Sequence, residues 1–429
     1  MEVKPGYKMT EVGVIPEDWD VVELGQLVEP SENIRYGVVQ PGEYDRSGCL
    51  MVRSQDYSKG WVDEAHMHRV CSVLERQYKN AKVKRSDLVL TIVGAGIGQV
   101  AEVPGWLDGA ILSRSTGRIS LNSEMSSACY VKSCLGNDFG KKQIFNAQKE
   151  GAQPVVSCKD LSKLKLPYPP LEEQKSIASA LSDVDALIES LEQLLAKKRN
   201  IKQGAMQELL TGKRRLPGFS GEWEEKSLGE LFEFSGGFTA SRDQLSCEGY
   251  CYLHYGDIHT SNKMFVDVAE EYQEIPKLGV EIGKVSRSSL LEDGDVVFVD
   301  ASEDEEGVCR YVVVVNPAKV PFISGLHTIV SKVKGNCLDN LYKRYCFQSE
   351  GIKRQFRFYA VGTKVSGVNK KSIRKISIQI PKFEEQVAIG AILNNMDAEL
   401  AAIEVKLSKA RHLKQAMMQE LLTGRIRLV

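Results

Sequence analysis

The sequence lacks the features of several large protein classes. No apolar run approaches the ~20 residues that a membrane span needs, and Met1–Pro5 has no apolar segment of the kind found in secretory signals. Ten cysteines in 429 residues are too few for a disulfide scaffold. The net charge of −1, from 56 Lys and Arg against 57 Asp and Glu, excludes a polycation but allows a basic face on an otherwise balanced chain. We therefore expect a cytoplasmic protein with reduced thiols and no membrane partner.

Motifs of catalysis are equally scarce. The glycine-rich segment Val93–Gly98 resembles the phosphate loop of a nucleotide or S-adenosylmethionine site, but such a loop leads directly into a helix. The residues that follow, Gln99–Trp106, are instead typical of a strand and a turn. We predict a strand-to-strand glycine turn at this place, and a chain that is not an enzyme by itself.

A zinc site is the other candidate for chemistry. Two cysteines and two histidines lie close together in the sequence, and both are residue types that zinc prefers. They are Cys247, Cys251, His254 and His259. Ordinary strand residues explain the cysteines better, because the first half of the chain has no matching pair. We therefore predict no metal site.

The chain contains an internal repeat. Leu171–Gln174 returns as Phe383–Gln386, at a distance of 212 residues (384 − 172). The same distance carries Met206–Gly212 onto Met418–Gly424 without a gap, and about half of the positions between these anchors are identical. Such agreement indicates two copies of one unit.

A weaker match extends upstream of both anchors. Trp19 matches Trp223 at a distance of 204 residues (223 − 19). Asp87 matches Asp295 at 208 residues (295 − 87), so short insertions separate the strands, where loops tolerate them. The repeat divides the chain into two variable globular units, two repeated segments and a C-terminal tail. These are residues 1–170 and 213–382, residues 171–212 and 383–424, and residues 425–429.

Each repeated segment predicts one long helix with a narrow apolar seam. The seam residues follow one another at alternating steps of four and three, a spacing that packs best against another helix as a coiled coil. They are Ile177, Leu181, Val184, Ile188, Leu191 and Leu195 in the first copy, and Ile389, Leu393, Met396, Leu400, Ile403 and Leu407 in the second. Prolines precede both helices, and Gly212 and Gly424 stand at the predicted C-terminal stops.

Two kinds of packing are open to the seams. Each seam could pack on its own globular unit, but two copies of one seam in one chain favour an antiparallel coiled coil between them. A helix from Leu171 to Leu210 would be about 60 Å long at about 1.5 Å per residue. Such a pair of helices would hold the globular units apart at a fixed distance.

The globular units are predicted to be mixed and largely β. Strand-like runs occur at Asp87–Val93, Asp295–Asp300 and Tyr311–Val315. The stretches 130–148 and 341–358 are helical in composition. The predicted fold class is therefore α+β, with two globular domains, two long helices between them and a pseudo-two-fold internal repeat.

Basic residues concentrate at matching places in the two halves. The segment from Asn340 to Lys382 contains eleven Lys and Arg but one acidic residue. The segment from Lys132 to Lys165 contains seven Lys and three acidic residues. A solvated helix face would explain one such stretch, but the repetition favours two surfaces that face DNA phosphates. The predicted phosphate contacts are Lys141, Lys142 and Lys159 in the first unit and Lys364, Lys370 and Lys371 in the second.

The repeated segments resemble a known family. Pro169–Ile177, continuing to Glu208–Gly212, resembles the conserved helical region of type I restriction–modification specificity subunits. The second copy, which ends at Gly424, is similar to the distal conserved region of that family. The segments Trp19–Gly25 and Trp223–Gly229 look like the start of each target-recognition domain.

The resemblance implies a non-catalytic role in DNA recognition. It implies that each target-recognition domain reads one half of a split, asymmetric DNA sequence, and that the paired helices set the length of the unread spacer. The helices would also dock two modification subunits, which bind S-adenosylmethionine and methylate adenine N6. Restriction subunits would join this core and use ATP and Mg for translocation and cleavage. This chain itself would hold no cofactor.

Hydrogen-bond chemistry selects the candidate base contacts. Arg and Lys suit guanine, Asn and Gln suit adenine, and Asp or Glu accept from cytosine. The predicted base contacts are Arg53, Gln55, Arg114 and Gln153 in the first unit and His254, His259, Ser302 and Asn369 in the second.

Two other functions stay open on the sequence alone. One is a two-lobed scaffold whose coiled coil joins protein partners without DNA specificity. The other is an enzyme that binds a nucleotide at the Gly94–Gly98 turn. A DNA reader loses affinity steeply as salt rises, and such an enzyme would bind S-adenosylmethionine or ATP by itself. Both alternatives can therefore be tested directly.

Overall fold

The structure, a computed structural model, describes residues 4–149, 153–302, 307, 310–360, 362 and 366–428. Contacts along the chain divide it into two units. The first unit comprises the residues up to Glu192 together with those from Val405 onward, and the second comprises Gln193–Glu404. Each unit therefore contains one globular part and a portion of both repeated segments. No helix of the described ranges is both long enough and apolar enough to span a membrane.

The first unit is built on short strands with buried apolar residues. Its strands are β1 (Tyr7–Thr10), β2 (Gly13–Pro16), β3 (Asp20–Glu23), β4 (Arg35–Tyr36), β5 (Cys49–Val52), β6 (His68–Val70), β7 (Leu88–Thr91), β8 (Val100–Glu102), β9 (Ile111–Leu112), β10 (Thr116–Ile119) and β11 (Lys165–Tyr168). A four-stranded antiparallel sheet has the order β4-β10-β7-β8. A three-stranded sheet has the order β6-β5-β9, in which β5 and β9 are parallel. Every residue of β7 is buried, so both faces of the larger sheet are covered at this strand.

The second unit has the same plan with a larger sheet. Its strands are β12 (Glu224–Ser227), β13 (Phe232–Gly236), β14 (Leu245–Ser246), β15 (Tyr250–Leu253), β16 (Phe265–Asp267), β17 (Lys277–Leu278), β18 (Val296–Val299), β19 (Ala301–Ser302), β20 (Tyr311–Val315), β21 (Phe322–Ser324), β22 (Thr328–Val333), β23 (Ser366–Gly367) and β24 (Ser377–Ile380). One sheet has the order β13-β22-β18-β20-β16, and another has the order β14-β17-β15-β21. In the latter, β15 and β21 are parallel. The predicted strands within 87–93, 295–300 and 311–315 are confirmed as β7, β18 and β20.

The described ranges contain eleven α-helices, and the second, third, eighth and ninth of them fall on the stretches 130–148 and 341–358 that the composition predicts to be helical. They are α1 (Ser72–Gln77), α2 (Ala128–Gly136), α3 (Asp138–Asn146), α4 (Cys158–Leu161), α5 (Leu171–Leu209), α6 (Leu228–Leu231), α7 (Tyr255–Thr260), α8 (Asn340–Cys346), α9 (Glu350–Tyr359), α10 (Lys370–Ile373) and α11 (Phe383–Leu421). The two long helices, α5 and α11, have 39 residues each. Gly212 and Gly424, just beyond their ends, have φ values of 66° and 67°, the left-handed conformation that favours glycine after a helix. The predicted helices and stops are confirmed.

The first turns of each long helix pack on a globular core. In the first unit Ile177 and Leu181 lie in the main apolar core, and in the second unit Ile389 and Leu393 do the same. For these turns the alternative interpretation, packing of the seam on its own unit, is correct. The remaining seam residues are buried at Val184, Leu195, Ile403 and Leu407 and half-buried at Ile188, Leu191, Met396 and Leu400.

Charged side chains join α5 and α11 within each unit. In the first unit Asp185 lies 2.5 Å from Lys414, and Glu192 lies 2.6 Å from Arg411. Residue numbers rise along α5 while those of the partners on α11 fall, so the two segments run in opposite directions. The pairs in the second unit are Lys198 with Glu399, Arg199 with Glu404, and Lys202 with Asp397.

A buried carboxylate lies in the first turn of each long helix. The Glu173 side chain is fully buried, accepts a hydrogen bond of 3.0 Å from Trp19 Nε1, and binds the Arg427 guanidinium. Glu385, 212 residues later (385 − 173), binds Arg215 through contacts of 2.7 and 2.6 Å. Arg427 belongs to the segment that the sequence marked as a tail, and here it is part of the first unit.

Candidate nucleic-acid interface

Two loops lie side by side at one edge of the smaller sheet in both units. In the first unit the N–H of Ser113, the first residue after β9, donates to Val52 O at the end of β5, at 3.0 Å. In the second unit the N–H of Gly325, the first residue after β21, donates to Leu253 O at the end of β15, at 2.9 Å. Parallel neighbours end at the same edge of a sheet. The loops after β5 and β9 therefore correspond to those after β15 and β21.

This correspondence places two predicted base contacts, Arg53 and His254, at one position directly after β5 and β15. Asp56, whose side chain is 2% exposed, binds the Arg53 guanidinium at 2.9 Å. His254 is itself buried, and its Nδ1 accepts from the N–H of Gly256 at 3.1 Å. Burial lowers the pKa of His254, so the neutral ring suits this acceptor role. The Arg53 and His254 side chains therefore each bind a residue of their own loop, and the sequence did not predict these contacts.

Two other predicted contacts of the first unit have exposed side chains on these loops. Gln55 is exposed in the short 3₁₀ turn Ser54–Asp56. Arg114 is exposed in the loop after β9, and its backbone N–H donates to Val38 O at 2.8 Å. An exposed side chain on a fixed backbone suits the reading of a base edge, because its position is set before binding.

The remaining predicted base contacts near these loops in the second unit are less exposed. His259 is half-buried, with Nε2 3.3 Å from Ala301 O. Ser302 is 5% exposed in β19. The base contacts by His259 and Ser302 therefore stay predictions, and neither side chain is exposed in this structure.

Asn369 and Ser157 form equivalent helix caps, 212 residues apart (369 − 157). The Asn369 side-chain oxygen accepts from the N–H groups of Lys371 and Ser372 at 2.9 and 3.0 Å, and Ser157 Oγ accepts from Asp160 N at 3.0 Å. An asparagine reads adenine through both its oxygen and its nitrogen. Because the cap occupies the oxygen, the predicted adenine contact by Asn369 does not fit this conformation.

The glycine-rich segment is a turn between antiparallel strands, as predicted. Gly94 and Gly98 have φ values of 93° and 90°, which glycine adopts without strain. The next element is the strand β8 rather than a helix, so the nucleotide-loop interpretation has no structural support here. Val93 pairs with Val155, which places the exposed Gln153 beside the turn.

The predicted phosphate contacts are exposed wherever the structure describes them. Lys364 lies outside the described residues. The others lie on α3, α4 and α10, and they are Lys141, Lys142, Lys159, Lys370 and Lys371. Exposed lysines at the starts of α4 and α10 occupy matching places in the two units, which suits a repeated phosphate-facing surface.

The second unit contains an aromatic cluster that the sequence did not predict. Tyr255 packs against three histidine rings, with centroid distances of 4.5 Å to His254, 6.1 Å to His259 and 5.4 Å to His327. His327 Nδ1 lies 3.2 Å from Asp300 Oδ1. Three of the six histidines of the chain meet here, and that concentration is the one signal that could have indicated the cluster. His327 precedes an ordinary strand and belongs to no motif.

The first unit also contains a cleft of about 980 Å³, lined by its globular part and the long helices. Ser133 and Asp185 are among its lining residues, together with the predicted phosphate contact Lys141. In the second unit the counterpart of Ser133 is Tyr345 (345 − 133 = 212), whose hydroxyl donates to Asp397 Oδ2 at 2.7 Å. Burial raises the pKa of Tyr345, so the phenol remains a donor. Tyr345 thus joins α8 to α11 in the second unit, whereas the equivalent place in the first unit is part of the open cleft.

The zinc candidates do not form a cluster. Within the described residues, no three His, Cys, Asp or Glu side chains are grouped so that they could hold a metal ion. Cys251 is buried in β15 and Cys247 is exposed after β14. The strand interpretation therefore accounts for the buried cysteine.

Comparison with known proteins relates this architecture to a family. The family model described as type I restriction modification DNA specificity domain matches twice, at residues 16–198 and 220–410. A putative type I restriction enzyme MjaX specificity subunit from Methanocaldococcus jannaschii is 27% identical over 436 residues, covering 98% of this chain and 97% of that protein. The type I restriction enzyme EcoBI specificity subunit from Escherichia coli is 29% identical over 203 residues, or 46% of this chain and 42% of that protein.

A solved structure shares the fold. The crystal structure of the type I restriction–modification system S subunit from M. genitalium superposes with a TM-score of 0.57 at 15% identity and covers 98% of both chains. The two family matches fall on the two halves of the repeat and together cover most of the sequence. The chain therefore belongs to the type I restriction–modification DNA specificity family and is a DNA sequence-specificity subunit of such a system.

Proposed function

We propose that each unit reads one half of a bipartite, asymmetric DNA sequence. The observation that carries this proposal is the repeated pair of loops, after β5 and β9 in one unit and after β15 and β21 in the other. The loops correspond in backbone but differ in side chains, as two readers with different base preferences would. As a specificity subunit, the chain recognises DNA and performs no catalysis itself.

Exposed side chains on these loops read base edges in the major groove. Arg114 suits guanine, whose O6 and N7 accept two hydrogen bonds, and Gln55 suits adenine. Gln153, beside the glycine turn, is a further candidate. The exposed lysines contact phosphates, which fix the register of the protein on the duplex without selecting a sequence. Selection among sequences then depends on a few side chains in each unit.

The long helices form an antiparallel coiled coil that sets the length of the unread spacer. The ion pairs between α5 and α11 within each unit and the buried seam residues Leu195 and Leu407 support this pairing. Because the start of each helix packs on a globular core, rigid helices would transmit their length to the separation of the readers. The pseudo-two-fold repeat would then match the two half-sites.

The same helices dock two modification subunits. Leu194 and Ile201 support this part of the proposal, since they lie one heptad apart on α5 and are 40% and 47% exposed. Exposed apolar side chains at that spacing suit a partner helix. The partners bind S-adenosylmethionine and methylate adenine N6, and restriction subunits use ATP and Mg. We place the complex in the cytoplasm, with the DNA that it reads.

A domain exchange tests the proposal. Residues 1–170 are replaced by the same unit of a related subunit, and methylated adenines are mapped with the modification subunits present. Glu173 and Arg427 stay with the host, so the donor is chosen to carry equivalents of Trp19 and Asp18, which contact them. We expect one half of the recognised sequence to change and the other half to persist. Simultaneous change of both halves would contradict independent readers.

Binding assays separate the proposal from its alternatives. Affinity for duplex DNA should fall steeply between low and high salt, because phosphate contacts release counterions. A scaffold without DNA specificity would bind its partners and show no sequence preference among duplexes. An enzyme that uses the glycine turn would bind S-adenosylmethionine or ATP as the isolated chain, and binding of either would contradict the assignment of these molecules to the partners.

A further inference from the structure

His327 is the histidine of the Tyr255 cluster that faces solvent. Its side chain is 50% exposed, whereas His254 is buried and His259 is half-buried. It follows Leu326, which corresponds to Arg114 of the first unit, because Gly325 corresponds to Ser113. His327 therefore lies in the loop of the second unit whose counterpart in the first unit carries Arg114, an exposed candidate base contact.

Two contacts fix the orientation of the His327 ring. Nδ1 lies 3.2 Å from Asp300 Oδ1, and the ring packs edge-on against Tyr255 at 5.4 Å and 82°. The backbone is held as well, since the N–H of Asp300 donates to His327 O at 3.1 Å. The φ of His327 is 56°, a left-handed conformation that costs a non-glycine residue strain and persists only where its surroundings impose it. The fold thus holds an exposed imidazole in a defined position.

The hydrogen bond to Asp300 also defines which ring nitrogen is available. A carboxylate oxygen accepts, so Nδ1 carries the proton that is donated to Asp300. In the neutral ring Nε2 is then an acceptor. In the major groove, the amino groups of adenine and cytosine are the donors that such an acceptor can meet.

We propose that His327 is a specificity-determining residue of the second unit. Its Nε2 accepts a hydrogen bond from the amino group of adenine or cytosine in the half-site which that unit reads. Asp300 is a positioning residue that sets the tautomer and holds the ring. The inference rests on the proposed function, since it requires that the second unit reads bases.

Selection from random duplexes tests the inference. The full chain, assembled with the modification subunits of its system, is used to determine the recognised sequence for the wild type. Every base pair of both half-sites is then replaced in turn, and binding is compared for the wild type, His327→Ala and Asp300→Asn. We expect His327→Ala to lose about 10-fold or more of the preference for adenine or cytosine at one position, with the other half-site unchanged. Asp300→Asn should weaken the same preference and no other.

Control variants separate loss of base reading from loss of any histidine and from unfolding. His66→Ala and His412→Ala remove exposed histidines elsewhere and should leave all preferences unchanged. Thermal unfolding of each variant shows whether it is folded. His327→Gln, whose amide can supply an acceptor, should restore part of the preference in a folded chain.

Each other outcome overturns a stated part of the inference. An equal loss of affinity for all sequences would assign His327 to phosphates and overturn base reading. Loss of a preference for guanine would show a protonated ring that donates, and would overturn the acceptor role. Unchanged preferences in folded His327→Ala would overturn the inference while leaving the proposed function intact. Absence of any half-site preference in the wild type would instead contradict the proposed function.

Discussion

The guanidinium of Arg427 donates hydrogen bonds of 2.5 and 2.8 Å to the carboxylate of Glu173, a residue 254 positions earlier in the sequence. The same arginine binds Asp18 at 2.9 Å, and its guanidinium lies over the Trp19 ring. The pKa of Asp18 is lowered by its hydrogen bond to Arg427. Arg427 therefore pairs with two carboxylates of the first unit, Glu173 and Asp18.

Removal of this arginine should destabilise the first unit. Arg427→Ala leaves the fully buried Glu173 carboxylate without its cation, and breaking a buried ion pair is costly. Since the Arg427 side chain is partly exposed, we expect about 2–3 kcal/mol rather than the full cost. Chemical unfolding of the purified chain measures the change. Arg425→Ala is the matched control, because Arg425 is exposed and lies 3.4 Å from Glu420, whose side chain is partly exposed and not fully buried like that of Glu173. An equal effect of both variants would contradict this account.

Two adjacent leucines of α5, one buried and one exposed, test which face of the helix forms the apolar seam. Leu195 is buried and Leu194 is 40% exposed. Leu195→Ala should lower the free energy of unfolding by about 2 kcal/mol or more, as expected for a leucine deleted from a packed interior. Leu194→Ala should change it by less than about 0.5 kcal/mol. Denaturant midpoints of the two variants give the comparison, and the reverse order would show that the seam is on the other face.

The bridge between Tyr345 and Asp397 should contribute to the second unit. Tyr345→Phe removes a 2.7 Å hydrogen bond to a carboxylate and should cost about 1–2 kcal/mol, because bonds to charged groups are stronger than neutral ones. Tyr272→Phe, at an exposed tyrosine, is the control and should be neutral. The converse variant Ser133→Tyr places a phenol near Asp185 in the open cleft of the first unit. A higher unfolding midpoint for this variant would show that the same bridge can be built there.

The buried carboxyl of Asp87 should make stability depend on pH. Burial raises the pKa of Asp87 above its ordinary value, so the folded chain holds this proton to higher pH than the unfolded chain does. As pH rises from about 4 through the folded pKa, the wild type should lose stability relative to Asp87→Asn, and the difference should then level off. Unfolding midpoints between pH 4 and pH 7 measure the trend.

A control with the opposite sign is available in the same unit. The pKa of exposed Asp45 is lowered by hydrogen bonds from Ser47. Its contribution is present above the unfolded pKa and is lost as pH falls through the folded pKa. Relative to Asp45→Asn, the wild type should therefore lose stability on acidification. A common trend for both variants would show that overall charge, rather than these environments, determines the pH dependence.

Equal insertions in both long helices should lengthen the spacer of the recognised DNA. Seven added residues extend a helix by about 10 Å and keep the seam in register, which corresponds to about three base pairs of rise. Insertion after Gln193 and after Glu404 together should shift the preferred spacer by that amount and leave the half-sites unchanged. Insertion in one helix alone should abolish modification, because the ion pairs would no longer meet. Mapping methylated adenines distinguishes these outcomes.

The sequence predicted most of the architecture because periodic patterns report local structure. Both long helices follow from the spacing of their apolar residues, and their ends follow from the positions of Gly212 and Gly424, none of which needs tertiary information. The sites were harder to predict, since residue type does not reveal whether a polar side chain is already engaged. The chemistry of Arg53 predicts a base contact, yet Asp56 binds its guanidinium within the same loop. No sequence pattern indicates His327, because its partner Asp300 is distant in sequence and only the sheet order brings the two residues together.

The arginine from the last residues of the chain lies in the first unit, where Tyr7 also donates to Gly424 O at 3.0 Å. The segment that begins at Tyr7 therefore contacts the segment that follows α11, and both belong to the first unit. A circular permutant, in which a linker joins residue 429 of this sequence to residue 1 and the chain is opened at the exposed Pro217-Gly218, would retain the ion pairs Glu173–Arg427 and Glu385–Arg215. We expect such a permutant to keep the fold of both units although their order along the chain is reversed.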